Sequence, residues 1–127
     1  MAKELVNFYK QFQIKKIYHK KIKKIELDFW LDINENEVMS GGFVKETYEA
    51  AWWAFSTTNS FEDCIIRAVN RGHDADTTGA VAGMIAGRHY GHRNIPSYFK
   101  DNLMWYDELF KTALDLSYVE YKDARDA

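Results

Sequence analysis

The sequence predicts a mainly α-helical chain with an N-terminal β-hairpin at about residues 11–33. Three observations carry this. Apolar residues recur at helical spacing from Val44 onward. Helix-capping residues punctuate that stretch at helix-length intervals. Upstream, apolar and polar residues alternate with period two. The 127 residues, with 46% apolar and 16% aromatic content, make up the size of one domain. We read residues 1–127 as that domain, with a divergent basic segment at 1–40 and a helical region at 41–121.

The first elements are the least regular. Leu5, Phe8, Tyr9 and Phe12 would share one side of a short helix over residues 2–10. Ile25, Leu27, Phe29, Leu31 and Ile33 alternate with Glu26, Asp28, Trp30 and Asp32, the pattern of a half-buried strand. Its partner strand falls within 11–20, although no Asn-Gly or Asp-Gly marks the turn. Residues 1–24 hold eight Lys and one acid, a net +7, and the remainder carries −9. Such lysines form either an arm for an acidic partner or the solvated face of a folded segment. The interleaved Ile and Phe favour the second.

Ser40-Gly41-Gly42 then breaks the chain. Val44, Tyr48, Ala51, Trp52 and Phe55 form one helical stripe, which places Trp52 in the core and Trp53 on the surface. Ser60, with Asp63 three residues on, caps a second helix whose inner stripe is Phe61, Cys64, Ile65, Ala68 and Val69. Cys64 is therefore a small core residue rather than a nucleophile. A third helix runs from about Asp76 to about Tyr90. Gly79, Gly83 and Gly87 recur along it every four residues. Each interior Gly costs a helix about 1 kcal/mol relative to Ala, so a row of them implies close approach by another element. Asp101 or Asn102 caps a last helix bearing Leu103, Tyr106, Leu109, Phe110, Ala113 and Leu114.

Several function classes find no support. One Cys excludes a disulfide framework within the chain. No apolar run is long enough to span a membrane, and residues 1–6 lack the apolar core of a signal peptide. A cytoplasmic protein is expected. No Ser-His-Asp arrangement, phosphate loop or nucleic-acid motif is present.

The sharpest chemical signal is Arg71-Gly72-His73-Asp74-Ala75-Asp76-Thr77-Thr78-Gly79. Two carboxylates at i and i+2, followed by a hydroxyl, stand at the entrance to a helix. They suit a hard cation such as Mg²⁺ or Mn²⁺. They equally suit a capped helix start, with Asp76 accepting amide hydrogens and Asp74 complementing the dipole. His89 and His92, three apart, could share a metal or complement a helix C-terminus.

Four blocks, in order, carry a resemblance: 42–55 with Gly42-Phe43-Val44, then Ser60-Phe61-Glu62, then 68–83 with Asp74-Ala75-Asp76-Thr77, and finally Tyr90-Gly91 with Ile95-Pro96. Together they resemble the C-terminal part of the ADP-ribosylglycohydrolases, over residues 41–100. The resemblance implies an all-helical fold with two divalent ions below an ADP-ribose cleft. It also implies hydrolysis of the bond between ADP-ribose and a protein side chain. Asp74, Asp76 and Thr77 would be metal ligands for Mg²⁺ or Mn²⁺, and Gly42, Phe43 and Val44 would line the ADP-ribose site. Phe43 keeps a ring but not the hydroxyl of the family's Tyr, and His73 stands where the family usually has Gly. The family's early acidic block has no counterpart, because the sequence holds no Asp-Asp pair. Two divalent ions need more anionic ligands than these to offset their repulsion. The resulting expectation is a truncated hydrolase completed by a partner chain, acting on an ADP-ribosylated protein. The alternative is a non-catalytic binding or inhibitory protein on the same scaffold. In either case residues 11–33 would mediate self-association or engage a protein partner. No catalytic residue is assigned.

Overall fold

The computed structural model describes residues 33–126, with side chains through 118. The described residues are helical and contain no strand, as expected for a mainly α fold. The predicted hairpin at about 11–33 lies outside them, apart from Ile33. They fall into two units, 33–94 and 95–126.

In the first unit, α1 spans Val44–Ser56, α2 Phe61–Val69 and α3 Ala75–Tyr90. A 3-10 turn, Glu35–Glu37, precedes them, and another, His92–Asn94, follows. The three helices pack on one another. Helix α1 begins at Phe43, whose carbonyl accepts the Thr47 N–H at 3.1 Å. It buries Thr47 and then an unbroken run from Ala50 to Phe55. This corrects two sequence expectations. Trp53 is not on the surface: it is only 2% exposed. The guanidinium groups of Arg67 and Arg71 lie 4.9 and 5.3 Å from its ring centroid. Val44, placed on the core stripe by its spacing, is 62% exposed. Trp53 is buried because α1 is enclosed on two sides in its second half, where a single stripe does not describe it, while Val44, in the first turn, lies before the buried run.

Helix α2 starts as predicted. The Ser60 hydroxyl accepts from the Asp63 N–H at 3.0 Å and donates to the Asp63 carboxylate at 2.7 Å. Phe61, Cys64 and Ala68 are buried. Burial pushes the Cys64 thiol up to about 11, against a smaller opposing effect of its hydrogen bond with Thr58. The glycine row of α3 faces this helix. A β-carbon on Gly79 would meet Val69 at 2.9 Å, on Gly83 would meet Ile65 at 3.7 Å, and on Gly87 would meet Phe61 at 3.8 Å. The α2 residues at i, i+4 and i+8 thus lie along a groove without side chains. Beside that row, Thr78, Ala82 and Ala86 are fully buried. Helix α3 ends at Gly91, whose φ of 80° is open to glycine and whose N–H bonds the Gly87 carbonyl at 2.9 Å.

The second unit holds α4, Ser97–Asp101, and α5, Tyr106–Asp126. Here the expected start of the last helix is wrong. Asn102 closes α4 instead of opening α5: its N–H and its side-chain amide both donate to the Tyr98 carbonyl. Helix α5 opens after Trp105, at φ 59°, whose carbonyl accepts the Leu109 N–H. Leu103 therefore lies before α5 and not on its apolar stripe. Among the described residues no helix is long and apolar enough to cross a membrane.

Candidate functional site

The candidate site is a corner where residues 38–43 lie against residues 71–77. Ser40 makes the join. Its carbonyl accepts the Asp74 N–H at 3.0 Å. Its hydroxyl donates toward the Gly72 and Arg71 carbonyls at 3.2 and 3.4 Å. Arg71 adds a hydrogen bond from its guanidinium to the Val38 carbonyl. Gly42 is thereby brought to Asp74: a β-carbon at Gly42 would lie 3.6 Å from Asp74 Oδ2. A β-carbon there would meet the carboxylate at ordinary contact distance.

The turn that delivers Asp74 is left-handed at two successive residues, Gly72 at φ 73° and His73 at φ 53°. Glycine adopts this region freely, and a histidine occupies it at a cost. A glycine at position 73 would take up this turn without that cost. The His73 side chain is exposed.

Asp74 is the N-cap residue of α3, yet its side chain makes no capping hydrogen bond to the helix. Its Oδ1 instead accepts the Thr77 hydroxyl at 2.8 Å. The Asp76 carboxyl is held below the usual carboxylate range, first by a hydrogen bond shared with the Asp74 carboxyl, then by the N–H groups of Thr77 and of Asp76 itself. Asp74 and Asp76 thus stand together at the start of α3, with the Thr77 hydroxyl bonded to Asp74. Asp76 accepts amide hydrogens of the first turn, while Asp74 takes the Thr77 hydroxyl and no helix N–H.

These three residues offer hard oxygen donors of the kind Mg²⁺ and Mn²⁺ prefer, and could supply part of such an ion's ligand set. Among the described residues no group of three or more His, Cys, Asp or Glu is gathered so as to hold a metal. His89 does not join His92 in such a group. Its ring lies edge-on to Phe55, with centroids 5.2 Å apart, and to Tyr90 at 4.7 Å. Gly42, Phe43 and Val44 are exposed beside the Asp74 corner. Sequence reasoning treated Ser40 only as part of a chain break and did not use Arg71.

The model of one protein family, ADP-ribosylglycohydrolase, matches residues 3–125. The chain belongs to the ADP-ribosylglycohydrolase family. The match begins well before residue 41, so the basic N-terminal segment falls within it. Among curated family members, the chain is 42% identical over 84 residues to the ADP-ribosylarginine hydrolase Tri1 of Serratia proteamaculans (strain 568). That alignment covers 66% of this chain and 23% of the relative. It is 45% identical over 58 residues to the ADP-ribosyl-[dinitrogen reductase] glycohydrolase of Rhodospirillum rubrum, covering 46% and 20%. It is 33% identical over 67 residues to the ADP-ribosylhydrolase ARH3 of Bos taurus, covering 53% and 18%. The chain thus spans less than a quarter of each of these family members. No solved structure matches it.

Proposed function

We propose that the chain carries part of the divalent-metal site of an ADP-ribosylglycohydrolase, and that it takes part in hydrolysis of the bond between ADP-ribose and a protein side chain, arginine in the first instance. One observation carries the reading: the Asp74 carboxylate, at a helix N-cap, takes the Thr77 hydroxyl in place of a helix N–H, beside Asp76. The names of the relatives support the substrate class, since one acts on ADP-ribosylarginine and another on ADP-ribosyl-dinitrogen reductase.

Asp74, Asp76 and Thr77 would hold Mg²⁺ or Mn²⁺ through oxygen. Such an ion, when bound, polarises oxygen and lowers the pKa of water. Gly42, Phe43 and Val44 would line the ADP-ribose site, with Gly42 letting a ligand reach the Asp74 corner and Phe43 offering a ring face. Two carboxylates balance one divalent ion and not two. The remaining acidic ligands of a two-ion site would come from outside these residues, on a partner chain or elsewhere. The free buried thiol of Cys64 suits a reducing compartment, in keeping with cytoplasm.

A binding or inhibitory role is the second reading. The absence of a three-ligand cluster among the described residues favours it, as do the exposed side chains of Leu103, Met104 and Trp105. In that reading residues 11–33 engage the partner or a second copy.

The deciding experiment follows ADP-ribose binding, and ADP-ribose release from an ADP-ribosylated arginine peptide, with Mn²⁺ present. The chain alone should bind ADP-ribose in a Mn²⁺-dependent way, lose that binding in Asp74→Asn, and release none. Turnover by the chain alone at the ~1–10³ s⁻¹ of ordinary enzymes would remove the need for ligands from outside it. No ADP-ribose binding would leave the second reading.

A further inference from the structure

The Asp74 carboxylate takes no N–H of the α3 end and meets the helix through the Thr77 hydroxyl. The backbone that carries this carboxylate is anchored from outside the helix, by the Ser40 carbonyl. We infer that Ser40 is a positioning residue for Asp74, an inference that rests on the metal-site reading above.

Ser40 is 2% exposed and holds the 71–74 turn at both ends. Its hydroxyl has one proton, shared between the Gly72 carbonyl at 3.2 Å and the Arg71 carbonyl at 3.4 Å. Its carbonyl takes the Asp74 N–H at 3.0 Å. Between these anchors lie Gly72 and His73, both left-handed. A histidine in that conformation persists only where the surroundings hold it. Arg71 braces the same segment one turn earlier, with its guanidinium on the Val38 carbonyl and against Trp53. Ser40 contributes no ligand atom, so it acts on the site only by fixing where Asp74 stands. Outer groups of this kind commonly govern metal affinity by 10–100-fold.

The test compares the full chain with Ser40→Ala by two readouts. Amide hydrogen exchange is followed at Asp74, with the Ala82 amide in the middle of α3 as reference. Mn²⁺ affinity is measured by calorimetry. The Asp74 amide should be protected in the parent and exchange at least about tenfold faster in Ser40→Ala, with Ala82 changing far less. Mn²⁺ affinity should fall by roughly tenfold or more. A fast-exchanging Asp74 amide in the parent overturns the inference, as does an equal change at Asp74 and Ala82, or an unchanged Mn²⁺ affinity in Ser40→Ala. A parent chain that takes up no Mn²⁺ overturns the metal reading instead, and the exchange at Asp74 then decides the role of Ser40 by itself.

Discussion

Gly79 of α3 lies against Val69 of α2 so closely that a methyl group on it would come within 2.9 Å of Val69 Cγ1. The two glycines further along the row are roomier, at 3.7 Å from Ile65 and 3.8 Å from Phe61. The α2–α3 contact is thus tightest beside the turn that leads to Asp74.

Alanine substitutions should read this gradient. Gly83→Ala gains up to about 1 kcal/mol of helix propensity and meets only ordinary contact. Gly79→Ala gains the same but must displace a branched side chain, which offsets the gain or reverses it. Urea unfolding should place Gly79→Ala below Gly83→Ala in stability. Equal stabilisation by both would show that Val69 does not sit on Gly79.

The left-handed turn offers an engineering check. His73→Gly removes a β-carbon from a residue at φ 53°. The folded state should gain roughly 1 kcal/mol, less the entropy that glycine adds to the unfolded chain. A thermal melt should show a higher or unchanged Tm. A clear fall would mean that the imidazole makes a stabilising contact at this corner.

Helix capping and the elements it marks were readable from the sequence, because they depend on neighbours within a few residues. Ser60 with Asp63 is one case and the glycine row is another. Trp53 was misplaced because α1 is buried on two sides, and periodicity reports one stripe. The start of α5 was misplaced because nothing near Trp105 announces a left-handed residue. Asp74, Asp76 and Thr77 were legible as neighbours, since they share one turn. Ser40 escaped notice because its carbonyl partners lie 31 and 32 residues away and are main-chain atoms. No side-chain pattern records such bonds, and the approach of Gly42 to Asp74 is hidden for the same reason.

Loss of the Ser60 cap should cost about 1 kcal/mol in Ser60→Ala, read by urea unfolding. Ser60→Asp, which keeps an acceptor, should retain much of the stability despite facing Asp63. A Ser60→Ala protein as stable as the parent would mean that the Asp63 N–H finds another acceptor.

Cys64 gives a stability change at alkaline pH. Its thiol lies at about 11 in the folded protein against 9.0 ordinarily. Above pH 9 the unfolded chain releases this proton while the folded chain keeps it. The contribution is therefore complete below about pH 9 and is lost as pH rises toward 11, by roughly 2 kcal/mol. Cys64→Ala should flatten that part of the stability profile, after allowance for its lower baseline. The folded thiol should also resist alkylation, and rapid modification at neutral pH would contradict its burial.

The most direct test of the site is a calorimetric titration of the chain with Mn²⁺, repeated on Asp74→Asn and Asp76→Asn. One weakly held ion per chain, a Tm that rises at millimolar Mn²⁺, and loss of both effects in either variant are expected. No uptake by the parent, or equal uptake by parent and variants, would contradict it and leave Asp74 and Asp76 as the start of a helix.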